Sequence, residues 1–279
     1  MTSAATRVLG VIGWPVSHSR SPAMHTAALA AMGEDAVYVP FAVPPGELAR
    51  AIAGLRSLGV LGVNLTLPHK QSAMALVDVL EPSARAVGAV NTIVREGERL
   101  IGANTDASGL VLALRAEGVE PRGLRVLVLG AGGAARAALH GLGEAGAEVR
   151  VAARRAEQAE ALARSTRCDA VAMSALGEAL RECDLLVQAT SATLGGGAAA
   201  EEFASTIPLS ELPGSAVVID LVYSPLETTV LRGARRRGLR ALDGLGMLAG
   251  QGALALERWL GRPAPLDVMR AALSEREAR

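Results

Sequence analysis

The sequence predicts an α/β protein of two domains, and three observations carry that expectation. Between Val126 and Ala137 the chain reads VLVLGAGGAARA, a β-branched and leucine run that stops in glycines and resumes as an alanine-rich helix. That is the pattern of a strand buried on both faces, followed by a tight turn. Upstream, strand and helix patterns alternate in the order β-α-β-α-β, which implies a mainly parallel sheet with helices on its faces. The length, 279 residues of which 50% are hydrophobic, suffices for two cores and excludes a disordered or fibrous chain.

Arg7 to Ile12 is the first expected strand. The segment from Gly13 to Pro22 reads as a loop that delivers a helix at about Pro22, with Ser21 as N-cap and the proline at the first helical position. Ser17 and Ser19 are not needed for that cap, and their hydroxyls suit a small anion or polyol at an open helix N-terminus. A strand over Ala36 to Ala42, a helix starting near Pro45 to Glu47 and a strand over Val60 to Leu65 follow, the last running into Asn64-Leu-Thr-Leu-Pro-His-Lys70. Parallel sheets collect ligands at the C-terminal ends of their strands, the edge where the loops bearing Ser19, Thr66 and Lys70 would emerge. A helix through Leu76 precedes a strand over Gly88 to Arg95, which turns through Glu96-Gly97-Glu98 into Arg99 to Gly102 as a hairpin. Asn104-Thr-Asp106 opens a helix to about Glu117, with Asp106 either its N-cap or a functional carboxylate. Pro121-Arg-Gly123 marks the entry to the second half.

In that half Gly130, Gly132 and Ala135 stand at the spacing of G-x-G-x-x-G/A, and Gly133 removes one more side chain. The backbone there must turn tightly and let a pyrophosphate reach helix N-terminal amides, so the segment reads as a Rossmann-like dinucleotide site. The next strand, Glu148 to Ala153, ends in Arg154 and Arg155 where an NAD site carries an acid for the ribose 2′-hydroxyl. Two guanidinium groups at the entry to a helix near Ala156 oppose its dipole by about 0.3–1 kcal/mol each. A 2′-phosphate compensates them and selects NADP; the competing reading is two solvated surface arginines. Further strands are expected over Asp184 to Gln188, Ala216 to Asp220 and Arg240 to Leu242, with a helix from Leu226 to Arg237 and a mobile run from Gly195 to Ala200. Asp243-Gly-Leu-Gly-Met247 opens a helix carrying Gln251, and Leu266, Met269 and Leu273 line one face of a last helix. These closing helices have no strand to follow and are expected to pack back on the first domain.

Lys plus Arg (28) equals Asp plus Glu (28) and aromatic residues make up 2%, which leaves neither basic surplus nor stacking platform for nucleic acid. The apolar run near the start is too short for a signal peptide and is broken by Pro15, and nothing approaches a membrane span. Two isolated cysteines, Cys168 and Cys183, suit a reducing cytoplasm. His18, His25, His69 and His140 lie without carboxylates at ligand spacing, so no metal is expected. One bias is informative. Of the 28 basic residues only Lys70 is lysine, and the only asparagines are Asn64, Asn91 and Asn104. These four cluster ahead of Asp106, as they would if their chemistry could not be replaced; chance retention is the alternative.

Taken together, the chain resembles the shikimate dehydrogenase family over essentially its whole length. The matching pieces are Gly13-x-Pro-x-x-His-Ser-x-Ser-Pro22, Asn64-x-Thr-x-Pro-x-Lys70, Gly88-Ala-Val-Asn-Thr92, Asn104-Thr-Asp106, Gly130-Ala-Gly-Gly-Ala134, Tyr223-x-Pro225 and Asp243-Gly-Leu-Gly-Met-Leu-x-x-Gln251. The resemblance implies a substrate domain over residues 1–106, with 245–279 packing back on it, an NADP domain over 107–244, and an active site in the cleft. It implies that shikimate is held by Ser19, Ser21, Thr66, Asn91, Asp106, Tyr223 and Gln251, with Lys70 as the catalytic acid/base paired with Asp106. For the cofactor it points to Gly130, Ala131, Gly132, Gly133 and Ala134, to Ala153 to Gln158 with Arg154 and Arg155, and to Leu221 and Gly244.

Departures from the family pattern fall mostly in the cofactor half. Ala153 and Arg155 replace Asn and Thr, Gln158 stands where a second arginine is common, and Gln188 replaces an asparagine; in the first half Thr26 and Ala107 replace Asn and Gly. Ketone reduction needs a hydride donor and a proton for the oxygen, and an ammonium at Lys70 supplies the second. Quinate/shikimate or aminoshikimate dehydrogenases are the nearest alternatives, and a folate-linked methylene dehydrogenase a more distant one. A non-catalytic ligand-sensing module on the same fold is the alternative from another class, but a sensor has no use for a proton donor. A monomer or a homodimer is expected.

Overall fold

The computed structural model describes residues 2–274. The chain forms two compact units, Met1–Gly109 with Leu248–Arg279, and Leu110–Met247. The expected limits at 106/107 and 244/245 thus lie three residues earlier than the structural division, which falls inside two continuous helices, Asp106–Ala116 and Leu245–Leu260. Met1 and residues 275–279 of the first expected domain lie outside the described residues.

The first unit runs β1 (Arg7–Gly13), α1 (Ser21–Ala31), β2 (Ala36–Ala42), α2 (Leu48–Ser57), β3 (Gly62–Leu65), β4 (Val79–Leu80), α3 (Pro82–Val87), β5 (Thr92–Glu96), β6 (Arg99–Ala103) and the first turn of α4 (Asp106–Ala116). Its sheet has the order β2-β1-β3-β5-β6-β4. β1 pairs in parallel with β2 and β3, as the alternation of strand and helix implies, and the Gly97 turn, at φ +59°, reverses β5 antiparallel onto β6. Ile12, Ile52, Leu55, Val63, Leu65 and Ile93 form the core under α2.

Three expectations in this unit are corrected. Ser21 is not the N-cap: α1 begins at Ser21 with Arg20 in the cap position and no side-chain cap, and the Ser21 amide donates to Ser19 Oγ at 3.3 Å. The stretch after Lys70 is a single 3-10 turn, Ser72–Ala75, in which Met74 N donates to Gln71 O and Leu76 N to Ala73 O, three residues back, while the Lys70 carbonyl accepts from Val90 N at 2.8 Å. Gly88 is the left-handed cap of α3, at φ +68°, so the strand starts at Thr92.

The second unit contains the rest of α4, then β7 (Arg125–Leu129), α5 (Gly133–Glu144), β8 (Glu148–Ala152), α6 (Ala156–Thr166), β9 (Asp169–Val171), α7 (Leu176–Arg181), β10 (Leu185–Gln188), α8 (Ala198–Ser205), β11 (Val217–Asp220), α9 (Thr229–Arg236), β12 (Arg240–Leu242) and the start of α10 (Leu245–Leu260). All its strand pairs are parallel, in the order β12-β11-β10-β7-β8-β9. Counted from β7 this is the doubly wound order 3-2-1-4-5-6, whose ligand crevice lies where the winding reverses, between β7 and β10. Val126 and Val128 pack on one face with Leu139 and Leu142, while Leu127 and Leu129 pack on the other with Leu180, Val218 and Leu231. Burial on both faces is why β7 reads as an unbroken apolar run.

β9, α7 and α8 are too short to show a period in the sequence. The run from Gly195 to Ala200 forms a turn into a helix: Gly195, Gly196 and Gly197 all have positive φ, Gly195 N donates to Ser224 O at 2.9 Å, and α8 starts at Ala198. α9 begins later than expected because Thr228 caps it, its hydroxyl accepting from Leu231 N. The closing segment after α10, α11 (Leu266–Ser274), buries Met269 and Leu273 and packs against α1 in the first unit.

Asp220, at the end of β11, is wholly buried. Its Oδ1 accepts from Gln188 Nε2 (3.1 Å) and Val222 N (3.0 Å), and its Oδ2 from Thr193 (3.0 Å) and Thr228 (2.7 Å). Burial pushes this carboxyl's pKa up and the four donors oppose the shift. Gln188, the departure from asparagine, belongs to this cluster and also reaches Thr190 O at 3.1 Å. Asp220→Ala leaves those donors buried without an acceptor, at about 1–3 kcal/mol per group before relaxation. We expect a loss of about 2–4 kcal/mol in chemical denaturation. An unchanged midpoint would show that the carboxylate does not hold the loops after β10 and β11 together.

Candidate active site

In the first unit the C-terminal ends of β1, β3 and β6 deliver one constellation. Lys70 Nζ donates to Asp106 Oδ2 at 2.7 Å, with the lysine side chain 27% exposed and the aspartate 8%. The expected pair is therefore a contact, and the amine remains the partner open to solvent. Asp106 stands in the first turn of α4, but its carboxylate meets side chains, not a helix amide, while its own N–H donates to Asn104 Oδ1 at 3.0 Å. Asn91 Nδ2 donates to Asp106 Oδ1 at 2.8 Å, so each carboxylate oxygen has a donor.

All four residues singled out by their rarity meet here, and for the three asparagines the reason is that each side-chain amide must accept and donate at once. Asn91 Oδ1 accepts from Thr105 N (2.8 Å) and Thr92 Oγ1 (2.9 Å) while its Nδ2 serves Asp106. Asn104 accepts from Asp106 N and donates to Ala89 O at 3.0 Å. Asn64 accepts from the Tyr38 hydroxyl (2.7 Å) and donates to Asn91 O and Thr92 Oγ1 (both 3.2 Å). Aspartate could not donate, and arginine could not accept.

Gln251 arrives from 160 residues away, its Oε1 accepting from Asn91 Nδ2 at 3.3 Å. Close helix crossing makes this possible. A Cβ at Gly109 would stand 2.5 Å from Gln251 N, and one at Gly250 would stand 2.6 Å from Gly109 O, so glycine on both helices lets the backbones touch. Sequence reasoning missed Gly109 and Tyr38, which have no signature beyond small size or β-propensity, and gave no role to Thr92 and Thr105, although both lie inside the matching motifs. Asn91 itself is buried and its amide is committed to Asp106, Thr105 and Gln251.

Ser19 and Thr66 are half-buried and Ser21 is buried, on loops tied to one another. Thr66 N donates to Ile12 O and Trp14 N to Leu67 O, and Gly13 makes room for the Thr66 methyl, which a Cβ would meet at 2.4 Å. Beneath these loops lies an aromatic cluster. His25 stacks on Tyr38 with ring centroids 4.1 Å apart and planes at 12°, and Trp259 leans on both. Neither His25 nitrogen has a hydrogen-bond partner. Burial lowers its pKa to about 3, and the neighbouring Asn64 side chain opposes that shift.

In the second unit Gly130 follows β7 at φ +122°, and a Cβ there would press on Ala189 and Thr190 after β10. Glycine is thus required at the switch point. Gly132 and Gly133 face open space where a Cβ would meet nothing within 4 Å, which leaves the N-terminus of α5 free for an anion next to Ala131 and Ala134. Arg154 and Arg155 are exposed after β8, and among the described residues neither has an ion-pair partner. Open amides and two free guanidinium groups suit a dinucleotide with an added phosphate. Gly244 is buried against Leu221, whose carbonyl a Cβ would meet at 2.5 Å, and Tyr223 is half-buried two residues on.

Comparison with known proteins accounts for both halves. Residues 11–93 match the shikimate dehydrogenase substrate binding domain, residues 112–222 the shikimate / quinate 5-dehydrogenase family, and residues 244–273 the shikimate 5'-dehydrogenase C-terminal domain. The chain belongs to the shikimate dehydrogenase family. Within it, the NADP(+) shikimate dehydrogenase of Symbiobacterium thermophilum is 48% identical over 280 residues, covering 95% of this chain and 93% of the relative. The shikimate 5-dehydrogenase of Thermus thermophilus, solved with NADP(H) and shikimate, is 41% identical with a TM-score of 0.88, covering 96% and 99%. A quinate dehydrogenase of Corynebacterium glutamicum, solved with NAD, is 30% identical with a TM-score of 0.86, covering 97% and 99%.

The buried histidine carries a pH prediction. An unfolded imidazole titrates near 6.5 and the folded His25 near about 3, so the unfolded chain takes the proton first as pH falls. Its contribution is whole above pH 6.5 and is lost on acidification, by up to about 1.4 kcal/mol per pH unit. His25→Leu should flatten the pH dependence of unfolding free energy between about pH 6 and pH 4. A slope equal to wild type would show that the histidine takes up its proton while folded.

Proposed function

We propose that the chain catalyses the reversible NADP-dependent reduction of 3-dehydroshikimate to shikimate, a step of chorismate and aromatic amino acid biosynthesis in the cytoplasm. The observation that carries this reading is the Lys70–Asp106 contact: the only lysine in the chain, partly open to solvent, held on a carboxylate whose second oxygen is already committed. A ligand sensor has no need of such a proton donor.

NADPH, when bound, supplies the hydride. The proton comes from the chain. Lys70 Nζ donates it to the substrate oxygen as that oxygen gains charge, and takes it back in the reverse direction. Asp106 fixes the amine and accepts from a substrate hydroxyl. Ser19, Ser21, Thr66 and Gln251 hold the carboxylate and hydroxyls, the family resemblance adds Tyr223, and Asn91 serves the substrate by fixing Asp106. Gly130, Ala131, Gly132, Gly133 and Ala134 cradle the pyrophosphate, Arg154 and Arg155 take the 2′-phosphate, and Leu221 and Gly244 close on the cofactor. The similarity to a quinate dehydrogenase keeps one alternative substrate in view, since quinate carries one more hydroxyl on the same ring acid.

Initial rates with shikimate and with quinate, each with NADP and with NAD, test the assignment; the highest kcat/KM is expected for shikimate with NADP. Lys70→Ala should lower kcat by about 10²-fold or more with a modest change in the KM for shikimate. Turnover at the wild-type rate would remove Lys70 from the chemistry. Replacing Arg154 and Arg155 together by alanine should raise the KM for NADP by about tenfold or more and leave that for NAD nearly unchanged, the mark of a lost phosphate contact.

A further inference from the structure

Tyr38 is one of two tyrosines in the chain, nearly fully buried, and so far has no part in the reaction. Its hydroxyl donates to Asn64 Oδ1 at 2.7 Å, the shortest step of a series that leads to the catalytic pair. Asn64 Nδ2 donates to Thr92 Oγ1 at 3.2 Å, Thr92 Oγ1 to Asn91 Oδ1 at 2.9 Å, and Asn91 Nδ2 to Asp106 Oδ1 at 2.8 Å. Every donor points the same way, from a phenol to a carboxylate.

The direction is not free. Asn64 must turn its amide nitrogen to Asn91 O, because a carbonyl can only accept, so its oxygen must face Tyr38. Thr92 Oγ1 accepts from Asn64 and donates to Asn91 Oδ1. The Thr105 amide, which can only donate, gives to the same Asn91 oxygen at 2.8 Å, and together these two donors turn the Asn91 nitrogen toward Asp106. The aromatic cluster holds the start of the series: the ring of Tyr38 is stacked on a neutral His25, and the Trp259 indole nitrogen is already committed to Ile93 O at 3.0 Å. Burial pushes the phenol's pKa up, and the neighbouring Ser21 hydroxyl opposes that shift.

We propose that Tyr38 is a positioning residue for the proton-transfer pair: its hydroxyl is the first donor of a series, through Asn64, Thr92 and Asn91, whose sense the Asn91 carbonyl and the Thr105 amide fix, and by anchoring that series it helps hold Asp106 and so orients Lys70. Without that hydroxyl the buried Asn64 oxygen has no donor, and the amide is held from its nitrogen side alone, which loosens its contact with Thr92. Thr92 can then turn its proton to Thr105 Oγ1, 3.3 Å away, and Asn91 loses one of the contacts that orient it. The inference rests on the functional reading above, because it needs Lys70 and Asp106 to be the pair that acts.

The test is steady-state kinetics of shikimate oxidation with NADP on wild type, Tyr38→Phe, Thr92→Val, Thr92→Ser and the Tyr38→Phe/Thr92→Val double variant. Phenylalanine keeps the stacked ring and valine keeps the β-branched strand residue, so each removes one hydroxyl. Tyr38→Phe and Thr92→Val should each lower kcat by about five- to tenfold, with the KM for NADP within about twofold of wild type, and Thr92→Ser should retain wild-type kcat. Because the two hydroxyls act in series, the double variant should be no slower than the slower single variant. Multiplying losses, or a Tyr38→Phe kcat within about twofold of wild type, would overturn the proposal. If Tyr38→Phe fails to fold, the contrast of Thr92→Val with Thr92→Ser decides, and equal kcat values in that pair would overturn it. A wild type inert on shikimate overturns the functional reading and this inference together, whereas an active wild type with unimpaired variants overturns this inference alone.

Discussion

A buried carboxylate must find donors for both oxygens, and the first unit is arranged around meeting that condition at Asp106. One oxygen takes the only lysine in the chain and the other takes Asn91. Each of those donors must in turn be held. Lys70 is held by its carbonyl, which accepts from Val90 N ahead of the tight turn Ser72–Ala75. Asn91 is held by Thr92, Thr105 and, at its backbone carbonyl, Asn64. The result is a polar core inside an apolar sheet domain, satisfied at nearly every atom, and its rigidity follows from that satisfaction.

The second unit solves a different problem with the same economy of side chains. Its glycines either allow a backbone approach, as Gly130 does against Ala189 and Gly244 against Leu221, or leave amides uncovered, as Gly132 and Gly133 do. Arg154 and Arg155 add positive charge after β8, and among the described residues neither has an ion-pair partner. The buried Asp220 cluster ties the loops after β10 and β11, two of the three strands on the far side of the switch point from β8. A dinucleotide site is thereby made from absence of side chains and fixed loop positions, not from a dense set of contacts.

The His25–Tyr38–Trp259 cluster links packing to chemistry. It brings aromatic surface under the serine-bearing loops and leaves one polar tip, the Tyr38 hydroxyl, aimed at Asn64. An imidazole without hydrogen-bond partners in such a place is tolerable only when neutral, which is why its folded form resists protonation.

Much of this was legible from residues alone. The glycine turn, the unbroken β7 run and the hairpin at Gly97 are local physics, since chain direction and side-chain size there depend on near neighbours. Rarity pointed to Asn64, Asn91 and Asn104 because a side chain that must donate and accept at one point admits no substitute, and to Lys70 because its ammonium is a compact donor that a guanidinium does not replace. The short elements α3, α7, α8 and β9 were not legible, as one or two turns carry no measurable period. Ser21 looked like a cap, and only the fold shows its amide answered by Ser19. Above all, the polarity of the series from Tyr38 to Asp106, and the helix crossing at Gly109 and Gly250 that brings Gln251 to Asn91, join residues far apart in the chain. Sequence determined which groups were present and what each was able to donate or accept; tertiary structure decided which of them meet, because hydrogen-bond direction is a property of placement.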